Sequence, residues 1–199
     1  MPIVTLPGGE LRDEIRQPLY DTVVLAAGAT LAGTYRFFSS VTTPSGAPKS
    51  AAQTNMKQSG SLETAVSFRV QGLCFDAQNA LEANITILPV VLNKSSITLN
   101  IGQKQYWQSP ARFAGGRMWA EYDASAAPAA LQQYGFSAIQ PVVFQGKHVI
   151  DINPLQAFQV IWDLQAVDLT AAEAALTIAA GTDQWFQASL KGLQRRPVQ

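Results

Sequence analysis

Charge is what this chain has least of. Charged residues make up only 14% of its 199 residues, against roughly 25% in an average soluble domain. Fourteen basic and fourteen acidic residues cancel to a net charge of zero. A free-standing nucleic-acid binder needs a strong positive field, so that class is excluded. Weak net charge also leaves little repulsion between copies, and charge-poor surfaces suit burial against other proteins. Cysteine is nearly absent: Cys74 stands alone, so no intrachain disulfide can form, and its Gly-Leu-Cys-Phe setting reads as a small core residue. His148 is the only histidine, which excludes the several-histidine metal site of a cupin. The longest apolar stretch, residues 85–92, is far too short to span a bilayer as a helix. The N-terminal residues lack the charged and apolar blocks of a secretory leader, and the expected place of folding is a reducing cytoplasm. Gly115-Gly116 lacks the phosphate-loop spacing, and no Gly-x-Ser-x-Gly elbow occurs.

What is present is period-two alternation. Phe186, Ala188 and Leu190 alternate with Gln187, Ser189 and Lys191, predicting a half-buried strand close to the C-terminus. Val66, Phe68 and Val70 share a face in a strand over 65–77, and the apolar phase breaks at Gly72, where a bulge or two-sided burial is expected. Further strands are predicted over 22–27, 34–38, 97–101, 158–162 and 174–179. Residues 142–144 and 148–152, around Gln145-Gly146-Lys147, suggest a hairpin. A short helix over 80–88, capped by Asn79 and ended or kinked by Pro89, competes with a β reading of 85–88. Residues 1–21, with three prolines and clustered charges, read as an extended arm. Residues 39–62 and 108–135 read as long loops. Eight or nine short strands without a βαβ rhythm predict a single all-β domain over 1–199. The long loops favour a Greek-key, jelly-roll sandwich or barrel with at most one or two short helices.

Chemistry has few candidates. His148 pairs in principle with Asp151 or Asp163, yet its setting is that of a strand end. Glu121 and Asp123, beside Trp119 and Tyr122, are the best carboxylate pair for sugar hydrolysis, against a plain reading as a loop with aromatic anchors. Asn84 and Asn93 head glycosylation triplets that read as chance matches. Arg12, Arg16, Arg195 and Arg196 are too sparse for nucleic acid and suit ion pairs with neighbouring subunits. No catalytic, metal or cofactor-binding residue is expected, and the chain does not read as an enzyme.

Several segments together resemble virion structural proteins of tailless icosahedral bacteriophages. They are Gln17-Pro-Leu-Tyr-Asp-Thr22, Phe37-Phe38, Gln53-Thr-Asn-Met-Lys-Gln-Ser-Gly-Ser-Leu62, Phe68-Arg-Val-Gln-Gly72, Leu99-Asn-Ile-Gly-Gln-Lys-Gln-Tyr106, Pro110 with Gly115-Gly116, and Leu190-Lys-Gly-Leu-Gln-Arg-Arg-Pro-Val-Gln199. The resemblance implies a jelly-roll capsid protein, tiling a shell around a genome or an internal lipid membrane. It carries no catalytic residues. Its partners would be copies of itself and other capsid proteins, and its place the virion, after synthesis in the host cytoplasm. The length admits one jelly roll, not two. The arm 1–21 and the loop 39–62 are then expected to make lateral contacts, with Arg12, Arg16, Lys57, Arg195 and Arg196 at the joints. Deleting residues 1–16 is expected to leave a folded protein that fails to assemble. The alternative is a carbohydrate- or receptor-binding β-sandwich with Trp107, Trp119 and Tyr122 as its platform.

Overall fold

The computed structural model describes residues 3–5, 11–78, 87–114, 118–123, 130–136, 142–146, 149–165, 169, 177–178 and 183–198. The chain is an all-β sandwich. Its strands are β1 (Ile3–Thr5), β2 (Leu11–Ile15), β3 (Leu19–Leu25), β4 (Gly33–Phe37), β5 (Ser67–Gln78), β6 (Ser96–Ile101), β7 (Lys104–Pro110), β8 (Met118–Asp123), β9 (Ala130–Phe136), β10 (Val142–Val143), β11 (Ile150–Ile152), β12 (Phe158–Leu164) and β13 (Gln184–Pro197). One α-helix, α1 (Ile87–Lys94), lies between β5 and β6.

Two antiparallel sheets carry the fold. In the larger, β13 is central, with β5 along one side and β2 and β3 along the other. β10 and β11 form the edge beyond β5, and β1 the edge beyond β2. The smaller sheet runs β4-β12-β6-β7. The pairing is nested along the chain: β3 pairs β13, β4 pairs β12, β5 pairs β10 and β11, and β6 pairs β7. The innermost of these pairs, β6 with β7, closes through a two-residue turn at Gly102 and Gln103.

Alternation explains the core. Phe158, Val160, Trp162 and Leu164 of β12 point inward, as do Phe186, Ala188 and Leu190 of β13. Between them Trp162 meets Phe186 at 4.6 Å and Phe75 at 5.4 Å, while Phe37 meets Phe75 edge-on at 6.0 Å. Burial of such side chains contributes about 1.5–3 kcal/mol each.

Four expectations are corrected. Within the expected extended arm 1–21, residues 11–21 belong to the main sheet: β2 and the start of β3 run in line along β13, from Arg12 opposite Pro197 to Leu19 opposite Leu190. Pro18 is compatible with this because it falls in the break at 16–18, where no ladder hydrogen bond is needed, while Pro2 and Pro7 lie outside the described residues. Residues 142–152 are not a hairpin, since β10 and β11 both pair β5 rather than each other. Residues 108–135 contain the end of β7, a 3-10 turn at Ala111–Phe113, and the paired strands β8 and β9. Pro89 does not end a helix: α1 runs through it to Lys94, and a proline in the first turn of α1 costs no intrahelical bond. Residues 79–86, and most of the strand predicted over 174–179, lie outside the described residues. Residues 39–62 hold no strand or helix, only isolated bridges such as Thr42 to Pro48.

Candidate interaction surface

Asp21 falls at an inward position of β3, opposite Ala188, and is fully buried. Its carboxylate accepts hydrogen bonds from the Phe38 N–H at 2.6 Å and the Lys49 ammonium at 2.7 Å. The Thr54 hydroxyl also interacts with it. Burial raises the carboxyl pKa above its ordinary value, and the bonds to Lys49, Phe38 and Thr54 pull it back only in part. Asn55 adds two links to the same strand, accepting from the Tyr20 N–H at 2.9 Å and donating to the Pro18 carbonyl at 2.7 Å. The base of the 39–62 loop is therefore fastened to β3, and its exposed residues are 39, 42, 44–48, 50–52 and 57–59.

The second feature grows from the phase break at Gly72. Lys191 of β13 faces Gly72, but the next residue, Gly192, faces Val70, so Gln71 is an extra residue in β5. The edge is interrupted at the same level: Val143 faces Gly72 and Ile150 faces Val70, and between them the Phe144 N–H donates to the Gln71 carbonyl at 2.8 Å. Gly192 is required here, since a Cβ would stand 2.0 Å from the Arg69 carbonyl oxygen. With glycine at 72 and 192, the outer face sinks into a trough of about 580 Å³ crossing the sheet. Arg16 and Pro18 border one end, Lys191 flanks the floor, and Val143, Phe144 and Val149 border the other end. Val143 is 54% exposed, whereas Phe144 is buried and meets Trp107 edge-on at 6.3 Å.

The basic residues expected at subunit contacts divide. Arg195 pairs with Glu14 at 2.8 Å, both half-buried, and Arg12 donates to the Ala65 carbonyl, so these two are engaged within the chain. Lys57 is exposed, pairs with Glu63 at 3.2 Å, and lines a shallow cleft together with Arg196. Arg16 is exposed and lies in the trough beside Lys191, which the sequence reading did not single out. A signal was available, since Lys191-Gly192 interrupts the terminal strand as Gln71-Gly72 interrupts β5. For Asp21 the signal was an acid at an inward position between Leu19 and Val23.

His148 lies outside the described residues, so its pairing with Asp151 or Asp163 does too. Asp151 is bound by Arg69 at 2.9 Å, and Asp163 accepts from the Thr34 hydroxyl at 2.5 Å. Trp119, Glu121, Tyr122 and Asp123 sit on β8 rather than in a loop. Among the described residues no three His, Cys, Asp or Glu side chains are grouped to hold a metal ion, and no helix is long and apolar enough to cross a membrane. No family model, curated protein or solved structure matches the chain.

Proposed function

We propose that this chain is a structural subunit of an icosahedral viral shell, built on a single jelly roll. The observation that carries the reading is the nested pairing of β3 with β13, β4 with β12, β5 with β10 and β11, and β6 with β7. Two sheets from one rolled-up hairpin are the design of jelly rolls, which occur in capsids, lectins and cupins. A single histidine disfavours the cupin branch. Trp107, packed against Phe144, is not a free stacking platform of the kind a lectin site uses.

Shell formation needs lateral contacts that bury roughly 1,200–2,000 Å² each. The best-placed apolar groups for one such contact are Ile3 and Leu11 on the β1–β2 hairpin, with Val198 just past the end of β13, at 56%, 53% and 41% exposure. Arg196 and Lys57 lie in the cleft nearby. Deleting 1–16 is the wrong test, because it also removes β2 and the Glu14 partner of Arg195. The replacement is Ile3→Ser combined with Leu11→Ser. Electron microscopy and sedimentation of the purified chain across concentration should reveal rings or closed shells, lost in this variant while its melting curve is retained. A wild-type chain that stays monomeric at every concentration would overturn the shell reading.

A further inference from the structure

The trough at the Gln71 bulge combines features that a plain sheet surface lacks. Two cationic side chains, Arg16 and Lys191, line it, and no Asp or Glu is among its described lining residues. Neither cation makes an ion pair with a described residue, whereas Lys49, Lys57, Arg69 and Arg195 all do. The chain as a whole is neutral, so this local excess is not the echo of a basic protein. Pro18, Val143 and Val149 supply apolar wall beside the charges. The trough crosses four strand lines, from β2–β3 over β13 and β5 to β10. Three strand spacings come to roughly 14 Å, the length of about four residues of extended peptide.

We propose that this trough is a recognition site for a short acidic segment of a partner polypeptide. Carboxylates of that segment meet Arg16 and Lys191, and its apolar side chains lie on Pro18, Val143 and Val149. Charge complementarity selects an anionic occupant, and the apolar walls select one with a greasy backbone neighbourhood. A phosphate-rich strand fits less well. Single-stranded nucleic acid gains its affinity from stacking on exposed aromatic faces, and Phe144, the one aromatic side chain among the described lining residues, is buried. The inference rests on the trough alone and is independent of the shell reading.

The test uses the full chain and a fluorescein-labelled eight-residue peptide alternating aspartate with valine. Its controls are the same peptide with asparagine for aspartate, and a single-stranded oligonucleotide. Fluorescence anisotropy should saturate with the aspartate peptide, and the asparagine peptide and the Arg16→Ser/Lys191→Ser double variant should each weaken binding about tenfold. Val143→Ser provides a second lesion at an exposed position, and melting curves check that every variant is folded. Absence of saturation would overturn the proposal. So would equal binding of the two peptides, indifference to the double variant, or tighter binding of the oligonucleotide.

Discussion

The ammonium of Lys49 lies 2.7 Å from the carboxylate of Asp21, and both side chains are buried. One comes from the 39–62 loop and the other from the middle of β3, so the pair joins a segment without regular structure to the main sheet. Breaking a buried pair leaves an uncompensated charge, at a cost of about 3–5 kcal/mol. Lys49→Met and Asp21→Asn should each destabilise the chain by that order. The double variant should cost far less than the sum, because no buried charge is left without its partner. Urea denaturation of all four proteins closes the cycle, and additive losses would show that the two groups do not act as a unit.

The same pair predicts a pH dependence of unusual sign. Burial holds the Asp21 carboxyl above its ordinary pKa in the folded chain. Folding therefore favours the protonated form, and the stability from this group is complete below the ordinary carboxylate range, near about 4. It is lost as pH rises through the raised value. Relative to the Asp21→Asn/Lys49→Met double variant, the natural chain should lose stability as pH increases from about 4. Asp76 is raised by burial too and adds a change of the same sign, common to both proteins. Denaturation midpoints at stepped pH measure the difference, and a natural chain that gains stability relative to the double variant as pH rises contradicts it.

The all-β class was legible because alternation in β12 and β13 survives intact from sequence to structure. The break at Gly72 was legible for the same reason: a bulge shifts the apolar phase by one residue, and the shift can be read without knowing the partner strand. Pairing was not legible. Leu19 lies opposite Leu190 across nearly the whole chain, and nothing local in either segment names the other. Gln145-Gly146-Lys147 carries turn chemistry and suggested a hairpin, yet the flanking strands both turn to β5. Charge partners were equally hidden. Arg195 reads as a free basic tail until β2 is laid beside β13 and brings Glu14 to it. The trough needed both glycine interruptions to be placed side by side, which is a matter of register rather than composition.

Gly192 provides a test of that register. A Cβ there would meet the Arg69 carbonyl oxygen at 2.0 Å and the Phe68 ring at 2.9 Å. The first obstacle is backbone, so side-chain rotation cannot relieve it. Gly192→Ala should destabilise by about 3 kcal/mol or more. Gly28→Ala is the control: Gly28 has φ +79 with open space around it, so only the left-handed backbone term of about 1–2 kcal/mol applies. Equal costs for the two variants would mean that β13 and β5 do not approach as closely as described.

Trp162 occupies the centre of the sandwich, stacked on Tyr35 at 4.7 Å and packed against Phe75 and Phe186. Its indole N–H is buried and has no hydrogen-bond partner among the described residues. An unsatisfied buried donor costs about 1–3 kcal/mol, so the largest side chain in the core also carries a penalty. Trp162→Ala removes the ring contacts and should cost about 3–5 kcal/mol. Trp162→Phe removes the orphaned donor along with some volume, and these changes oppose each other. Its net cost should stay below about 1.5 kcal/mol, the range of well-tolerated core swaps. Chemical denaturation of the two variants, followed by circular dichroism because the reporter indole is altered, gives both values. A Phe variant as damaged as the Ala variant would show that the N–H makes a bond, to water or protein, that the core depends on.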